Sequence, residues 1–461
     1  MRSLLPHARG GEPIESGMDF NLLDEKWIPV VRRDGLADRV GIRDALAQAH
    51  RIRQIAAPNP LDEMALLRFL LAVLHWCRGA YDAPGGGTIP AEWLSRLDAG
   101  KDLFRLFGDG GRFYQDAAAL RLRPATELLH EVPTGHNFWH PRHSEDGSTG
   151  LCPACCALGL LRLPLFCESG TPGMRTGING PPPVYAMRLG SSLWDTLRGN
   201  LLDVPLGTPA WERLETCRAP DRDVPLLAGL TAPARLVWLH EPCGPPGACA
   251  GCGAREPALV RQCGFQPAGT LKSDRWRDPH VLYRGAKQKA VKARPTGGWF
   301  RLDRPWGDAM ARMAEDGWLE RAAGASLLLV AFVTDNMKYV DAWRLLVRLP
   351  PKSAPNPVST AAMIERWHKE GRRVERAAGR LSGSGLGAAA VAGIRPTVER
   401  ALAPRIGEVL SDGDWERAAA DYRRPMDAIA RSLFPGCTTE AELGRRRLAS
   451  IRPDMRPEEG D

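Results

Sequence analysis

Cys152-Pro153-Ala154-Cys155 and Cys249-Ala250-Gly251-Cys252-Gly253 are two C-x-x-C knuckles. In each, a tight turn aims two thiolates at one point, and two knuckles together complete the tetrahedral four-thiolate shell that suits Zn2+. The pairs lie far apart in the chain, so an ion held by both would staple distant segments rather than fold a compact finger. A closed shell of four thiolates leaves no position for water, which makes such a zinc structural. Two other readings compete. Buried free cysteines are common core residues, and C-x-x-C also serves redox chemistry. Neither pair reads as the strand-to-helix start of a thioredoxin-like motif. Cys156, Cys167, Cys243 and Cys263 are close enough in sequence to compete as ligands.

His136, His140 and His143 lie in HNFWHPRH, just ahead of the first knuckle. Three such side chains could hold a catalytic metal with one open position. Pro141 prevents the regular helix that would align His136 with His140. Neither an H-E-x-x-H motif nor a phosphate-binding P-loop is present, and no Cys or His carries a local nucleophile signature. No catalytic residue is assigned, and the expectation is a binding protein rather than an enzyme. Phe138 and Trp139 in the same loop point to contact with a partner.

The elements that would position these groups follow from pattern. The chain has 461 residues, enough for two or three domains and a sizeable core. Trp27, Ile28, Val30 and Val31, followed by Asp34-Gly35, read as a hairpin. Ile42 to Ala49 reads as a helix. Leu66, Leu67, Leu70, Leu71 and Leu74 recur at helical spacing, which predicts a helix over Leu61 to Cys77 with Asp62 as its N-cap. Ala91 to Ala99 is a further helix. Arg235 to Leu239, Leu327 to Val333 and Ala342 to Leu349 read as strands, and 108–150 as mostly loop. Pro350 to Pro357 (PPKSAPNP) is a linker by composition. Beyond it, Ala, Arg, Glu and Leu recur at helical spacing, as in a bundle of three or four antiparallel helices. The fold class is therefore α+β. Residues 1–17 form a loose extension, 18–354 a large mixed domain with the cysteine site, and 355–461 a C-terminal helical bundle.

Composition limits the partners. Lys plus Arg number 62 against 54 Asp plus Glu, a formal charge of +8. This suits a polyanion as well as an ordinary solvated surface. No apolar stretch is long enough to span a membrane, and 1–17 lacks the apolar core of a signal peptide. Eleven cysteines without a secretory signal suggest a reducing, cytoplasmic setting.

Several segments together resemble the CasA family, the large subunit of the type I-E CRISPR Cascade complex. They are FNLLDEKWIPV from Phe20, GLCPACCALGLL from Gly150, GMRTGINGPPPVY from Gly173, the second knuckle with Cys263-Gly264-Phe265 after it, and TDNMKYVDAW from Thr334. The ordered set covers nearly all of the chain after Met18. The resemblance implies a subunit without cutting activity that works with guide RNA and the other Cascade subunits. It would read a short flanking motif, the PAM, in target double-stranded DNA, start strand separation and help recruit a helicase–nuclease. Guide pairing reads the remaining sequence, and minor-groove readout of the PAM tolerates several sequences.

Carried over by position, Phe138 matches the family's PAM-contacting aromatic. Trp139 and His140 follow it, with His140 standing where the family commonly has Asn. Gly173 matches its glycine loop, and Asn336 stands where a wedge hairpin carries Gln. Lys272 is the basic residue nearest the family's minor-groove Lys. Lys272 to Lys292 also interleaves Lys and Arg with Trp276 and Tyr283, as a DNA-tracking surface or a solvated basic loop would. Two rivals remain: a stand-alone zinc-containing DNA-binding regulator, and a metal-dependent hydrolase built on the histidine run.

Overall fold

The computed structural model describes residues 19–79, 87–131, 149–167, 176–214, 223–268, 274–284, 289–290, 326–335 and 338–348. The extension 1–17, the boundary near 355 and the C-terminal bundle lie outside these residues.

The first sheet grows from the expected hairpin. β1 (Ile28–Arg32) pairs antiparallel with β2 (Ala37–Val40) around a turn in which Gly35 has φ 90°. Trp27 precedes the strand; its side chain is buried and its Nε1 donates to the Leu22 carbonyl at 2.9 Å. α1 (Ile42–Ala47) follows, and then β3 (Ile52–Ile55), which adds to the other edge of β1 and was not expected from the sequence.

α2 (Pro60–Arg78) is the central helix, with every residue after Pro60 buried. A helix buried on all sides and mostly apolar belongs inside a core. Its cap corrects the sequence reading. Asn59 Oδ1 accepts the Leu61 N–H at 2.9 Å and Pro60 takes the first helical position, where a missing N–H costs nothing. Asp62 is not the cap; its carboxylate is committed to Arg162. α3 (Ala91–Ala99) packs beside α2. Phe69, Phe104, Phe113 and Trp211 fill the space around them, with Phe104 and Phe113 stacked at 5.8 Å.

β4 (Leu122–Pro124) precedes α4 (Pro153–Phe166), then come β5 (Tyr185–Leu189), α5 (Leu193–Gly199), α6 (Leu226–Leu230) and β6 (Arg235–Leu239). β7 (Gly247–Ala248) and β8 (Arg255–Glu256) form a short ribbon. β9 (Gln262–Pro267) joins β4 and β6 in a three-stranded sheet, and β10 (Tyr283–Arg284) pairs with β11 (Lys289–Ala290). β12 (Ser326–Asp335) and β13 (Lys338–Arg348) form a long hairpin, completed as a sheet by β5. β13 starts earlier than the expected Ala342 because its pairing continues to Asp335 opposite Lys338.

Charges buried on α2 find partners far away in the chain. Glu63 pairs with Arg344 of β13. Arg68 pairs with the fully buried Asp278, which also accepts from Asn179 at 2.7 Å. Burial opposes the Asp278 charge, yet Arg68 outweighs it and holds the carboxyl below its ordinary range. The ring nitrogens of the buried His75 have no hydrogen-bond partner among the described residues. Among those residues no helix is long and apolar enough to cross a membrane.

Candidate metal centre

Both knuckles are built by local backbone geometry. Cys152 is the N-cap of α4, with Pro153 next, and its Sγ accepts the Cys155 N–H at 3.4 Å. The first pair therefore opens a helix. No strand feeds it, however: Leu151 makes only an isolated bridge to Val260. The second pair lies between β7 and β8. Gly253 has φ 74°, a backbone region that favours glycine, and its N–H bonds the Cys249 carbonyl at 2.8 Å.

The fold brings the pairs together across 97 residues, as the Cys152 N–H donates to Cys249 Sγ at 3.2 Å. The four sulfur atoms of Cys152, Cys155, Cys249 and Cys252 lie within 4.8 Å of one another, and Cys152 Sγ stands 3.7 Å from Cys252 Sγ. A tetrahedral zinc–thiolate shell has sulfur–sulfur edges of about 3.8 Å, given zinc–sulfur bonds of about 2.3 Å. Gly251 N–H adds a second donor to Cys249 Sγ at 3.4 Å, the third N–H contact in the cluster. The three N–H contacts favour thiolate over thiol. Cys249 is accordingly held far below the usual thiol range by hydrogen bonds from Cys152 and Cys155, while Cys155 is pushed above it by its cysteine neighbours. The donor set fits a four-thiolate metal such as Zn2+.

The competing cysteines are excluded by position. Cys156 and Cys263 are buried beside the cluster but contribute no ligand atom to it. Burial pushes the Cys263 thiol up to about 12. Among the described residues the four knuckle cysteines form the one group able to hold a metal. The approach is tight: a Cβ on Gly251 would stand 2.9 Å from Cys155 Sγ and 2.7 Å from Leu129 Cδ1.

A cavity of about 940 Å³ adjoins the cluster, walled by Asn59, Glu131, Cys155, Arg162, Gly251 and Cys252. Arg162 is the feature that the sequence reading missed. It is 1% exposed and bonds two carboxylates, Asp62 through Nε and Nη2 and Glu131 through Nη1 and Nη2. Its signal was a single arginine inside the apolar run CALGLLRLPLF. Burial raises Asp62 against the pull of Arg162, whereas at Glu131, nearer solvent, Arg162 overcomes burial and lowers the carboxyl.

Phe138, Trp139, His140, Gly173, Lys272 and Asn336 all lie outside the described residues, as do His136 and His143. Glu131 and Thr149 flank the first group; Asp335 and Lys338 flank the position of Asn336. The aromatics of the basic segment are committed to the interior. Trp276 Nε1 donates to Asn179 Oδ1 at 2.8 Å, and Tyr283 Oη accepts the Asp278 N–H at 3.0 Å.

The model of the family described as CRISPR-associated protein Cse1 matches residues 21–442. This chain belongs to the Cse1 family. A curated relative, CRISPR-associated protein CasA/Cse1 of Thermus thermophilus, is 32% identical over 213 residues. That match spans 42% of this chain and 42% of the relative, so it reaches less than half of the relative's length. The Cse1 fold is shared with a CRISPR-associated protein from Thermus thermophilus, at TM-score 0.69 and 22% identity over 94% of this chain and 99% of the other. Cse1 from Acidimicrobium ferrooxidans matches at TM-score 0.67 and 21% identity, covering 96% and 100%. A chain in a structure of a CRISPR RNA-guided surveillance complex matches at 0.64 and 17%, covering 94% and 99%.

Proposed function

We infer that this chain is the large subunit of an RNA-guided CRISPR surveillance complex, working in the cytoplasm with guide RNA and the other Cascade subunits. It recognises the PAM in target duplex DNA, starts strand separation and helps recruit the helicase–nuclease, and it performs no bond chemistry itself. The family match over residues 21–442 carries this reading. A matching fold in a chain of a guide-RNA surveillance complex supports it.

On this reading the four-cysteine cluster holds a structural Zn2+ that fixes one end of the segment carrying Phe138, Trp139 and His140. Gly173 and Lys272 add groove and phosphate contacts, which position the duplex before bases are read. Asn336, between β12 and β13, wedges beneath the first base pair so that guide pairing can capture the target strand.

The test is target binding by the reconstituted guide complex, with and without this chain, over a library of flanking sequences. Binding and strand opening that require the chain and depend on the flank support the reading. Equal binding without the chain, or site selection by the chain alone, overturns it and favours a stand-alone regulator.

A further inference from the structure

Helix α4 holds both chain segments that bound residues 132–148. Its first turn supplies Cys152 and Cys155 to the thiolate cluster. The chain that enters this turn is fixed residue by residue. Leu151 and Val260 exchange two backbone hydrogen bonds of 2.9 Å, and Ala250 N–H donates to the Gly150 carbonyl at 3.0 Å. A Cβ on Gly150 would stand 2.8 Å from the Val260 oxygen, so the two backbones lie in close contact there.

Two turns after Cys155, about 10.5 Å along the helix axis, the same helix carries Arg162. Its guanidinium reaches Glu131, the last described residue before 132–148, with Nη2 2.9 Å from Oε1. Asn59 Nδ2 also donates to Glu131 Oε1, at 3.1 Å. His130, one residue earlier, packs its ring against Phe332 of β12 at 4.8 Å. Glu131 and Cys252 line one cavity, so the two anchors face a common space.

A buried ion network is a poor source of net stability, because desolvation offsets most of the attraction. A two-pronged guanidinium does, however, fix distance and orientation at both carboxylates. Asp62 is the enclosed half of the network. Glu131 is the half at the edge, its side chain 32% exposed.

We propose that Arg162 is a positioning residue: through Glu131 it sets where the chain enters segment 132–148, relative to the exit that the cysteine cluster fixes. This rests on the reading above, in which Phe138 in that segment reads the flanking sequence. The anchor itself is a property of the described residues and can be tested separately.

The experiment compares Glu131→Gln, Asp62→Asn and Phe138→Ala in the full-length chain. Amide exchange is measured on the chain, and flank discrimination on the reconstituted guide complex. Glu131→Gln should speed exchange at residues 128–131, leave 149–151 and the metal content unchanged, and reduce flank discrimination about tenfold, the scale of one lost charge-assisted hydrogen bond. Asp62→Asn should lower the thermal midpoint and leave discrimination intact. If Glu131→Gln itself lowers the midpoint, Glu131→Asp, which keeps the charge and shortens the reach, takes its place. Unchanged exchange at 128–131 overturns the anchor whatever the DNA result. Faster exchange with discrimination intact, while Phe138→Ala abolishes discrimination, overturns the positioning role. Discrimination unaffected by Phe138→Ala, with exchange altered as expected, overturns the flank-reading assignment and leaves the anchor standing.

Discussion

Arg344 of β13 closes on Glu63 of α2 with two prongs, Nε 2.6 Å from Oε2 and Nη2 3.0 Å from Oε1. This pair ties the long β12–β13 hairpin to the central helix. Arg344→Met leaves the Glu63 carboxylate buried without its partner and should cost on the order of 2 kcal/mol in denaturant unfolding. Adding Glu63→Gln should restore part of that loss. Equal losses from Arg344→Met in both backgrounds would mean that the pair has no coupling.

The cysteine cluster predicts metal content. The purified chain should carry one zinc, and Cys152→Ala or Cys249→Ala should each remove it and lower the thermal midpoint. Cys156→Ser and Cys263→Ser should keep the metal, because neither sulfur belongs to the cluster. Elemental analysis checks this, and zinc retained in Cys249→Ala would rule out the four-cysteine ligand set.

Gly251 offers a finer probe, because an added methyl would stand 2.9 Å from Cys155 Sγ. Gly251→Ala keeps all four ligands but should release zinc faster to a chelator. Gly253→Ala meets no atom nearby, yet carries the strain of a left-handed φ of 74° and should cost about 1–2 kcal/mol of stability. Identical chelation rates for wild type and Gly251→Ala would show that the knuckle relaxes around the methyl.

Acid stability has a defined sign. Burial holds His75 down at about 4 against an ordinary 6.5, with Arg78 adding to the shift. Between those pH values the unfolded chain binds a proton at this residue and the folded chain does not, so stability is lost as pH falls from 6.5 towards 4. The loss from this one side chain is about 3 kcal/mol. Unfolding measured at pH 7 and at pH 4.5 should show a smaller difference for His75→Leu than for wild type. An unchanged difference would mean that His75 is protonated within the fold.

The proposed DNA contacts separate by step. Phe138→Ala should weaken binding to a matched flank without changing the strand-opening rate of bound complexes. Asn336→Ala should leave duplex docking intact and slow opening. Stopped-flow fluorescence of a base analogue beside the flank distinguishes the two, and identical defects in both variants would argue against separate docking and wedge roles.

Local signals in the sequence were legible, and tertiary ones were not. The leucine spacing of α2 survives into the structure because it reflects a single helix in a single core. Its cap was misplaced because Asp62 resembles a cap residue until Arg162, a hundred positions away, is seen to hold it. The two knuckles were readable because a C-x-x-C turn is local; that they meet depends on the β7–β8 ribbon and the Leu151–Val260 bridge. α4 was not read as a helix, since PACCALGLLRLPLF is apolar on every side and carries Pro164, so no amphipathic period marks it. β3 is four residues long, too short to show alternation.

The distance between the knuckles also has a meaning in time. A ribosome adds about 5–20 residues per second. Cys152 and Cys249 are 97 positions apart, so the first pair of thiols leaves the ribosome roughly 5–20 s before its partners. Through that interval it is a half-formed ligand set on a nascent chain, open to oxidation or to a borrowed metal. Closure of the cluster requires synthesis to have passed residue 252, and only then could all four thiolates share one ion.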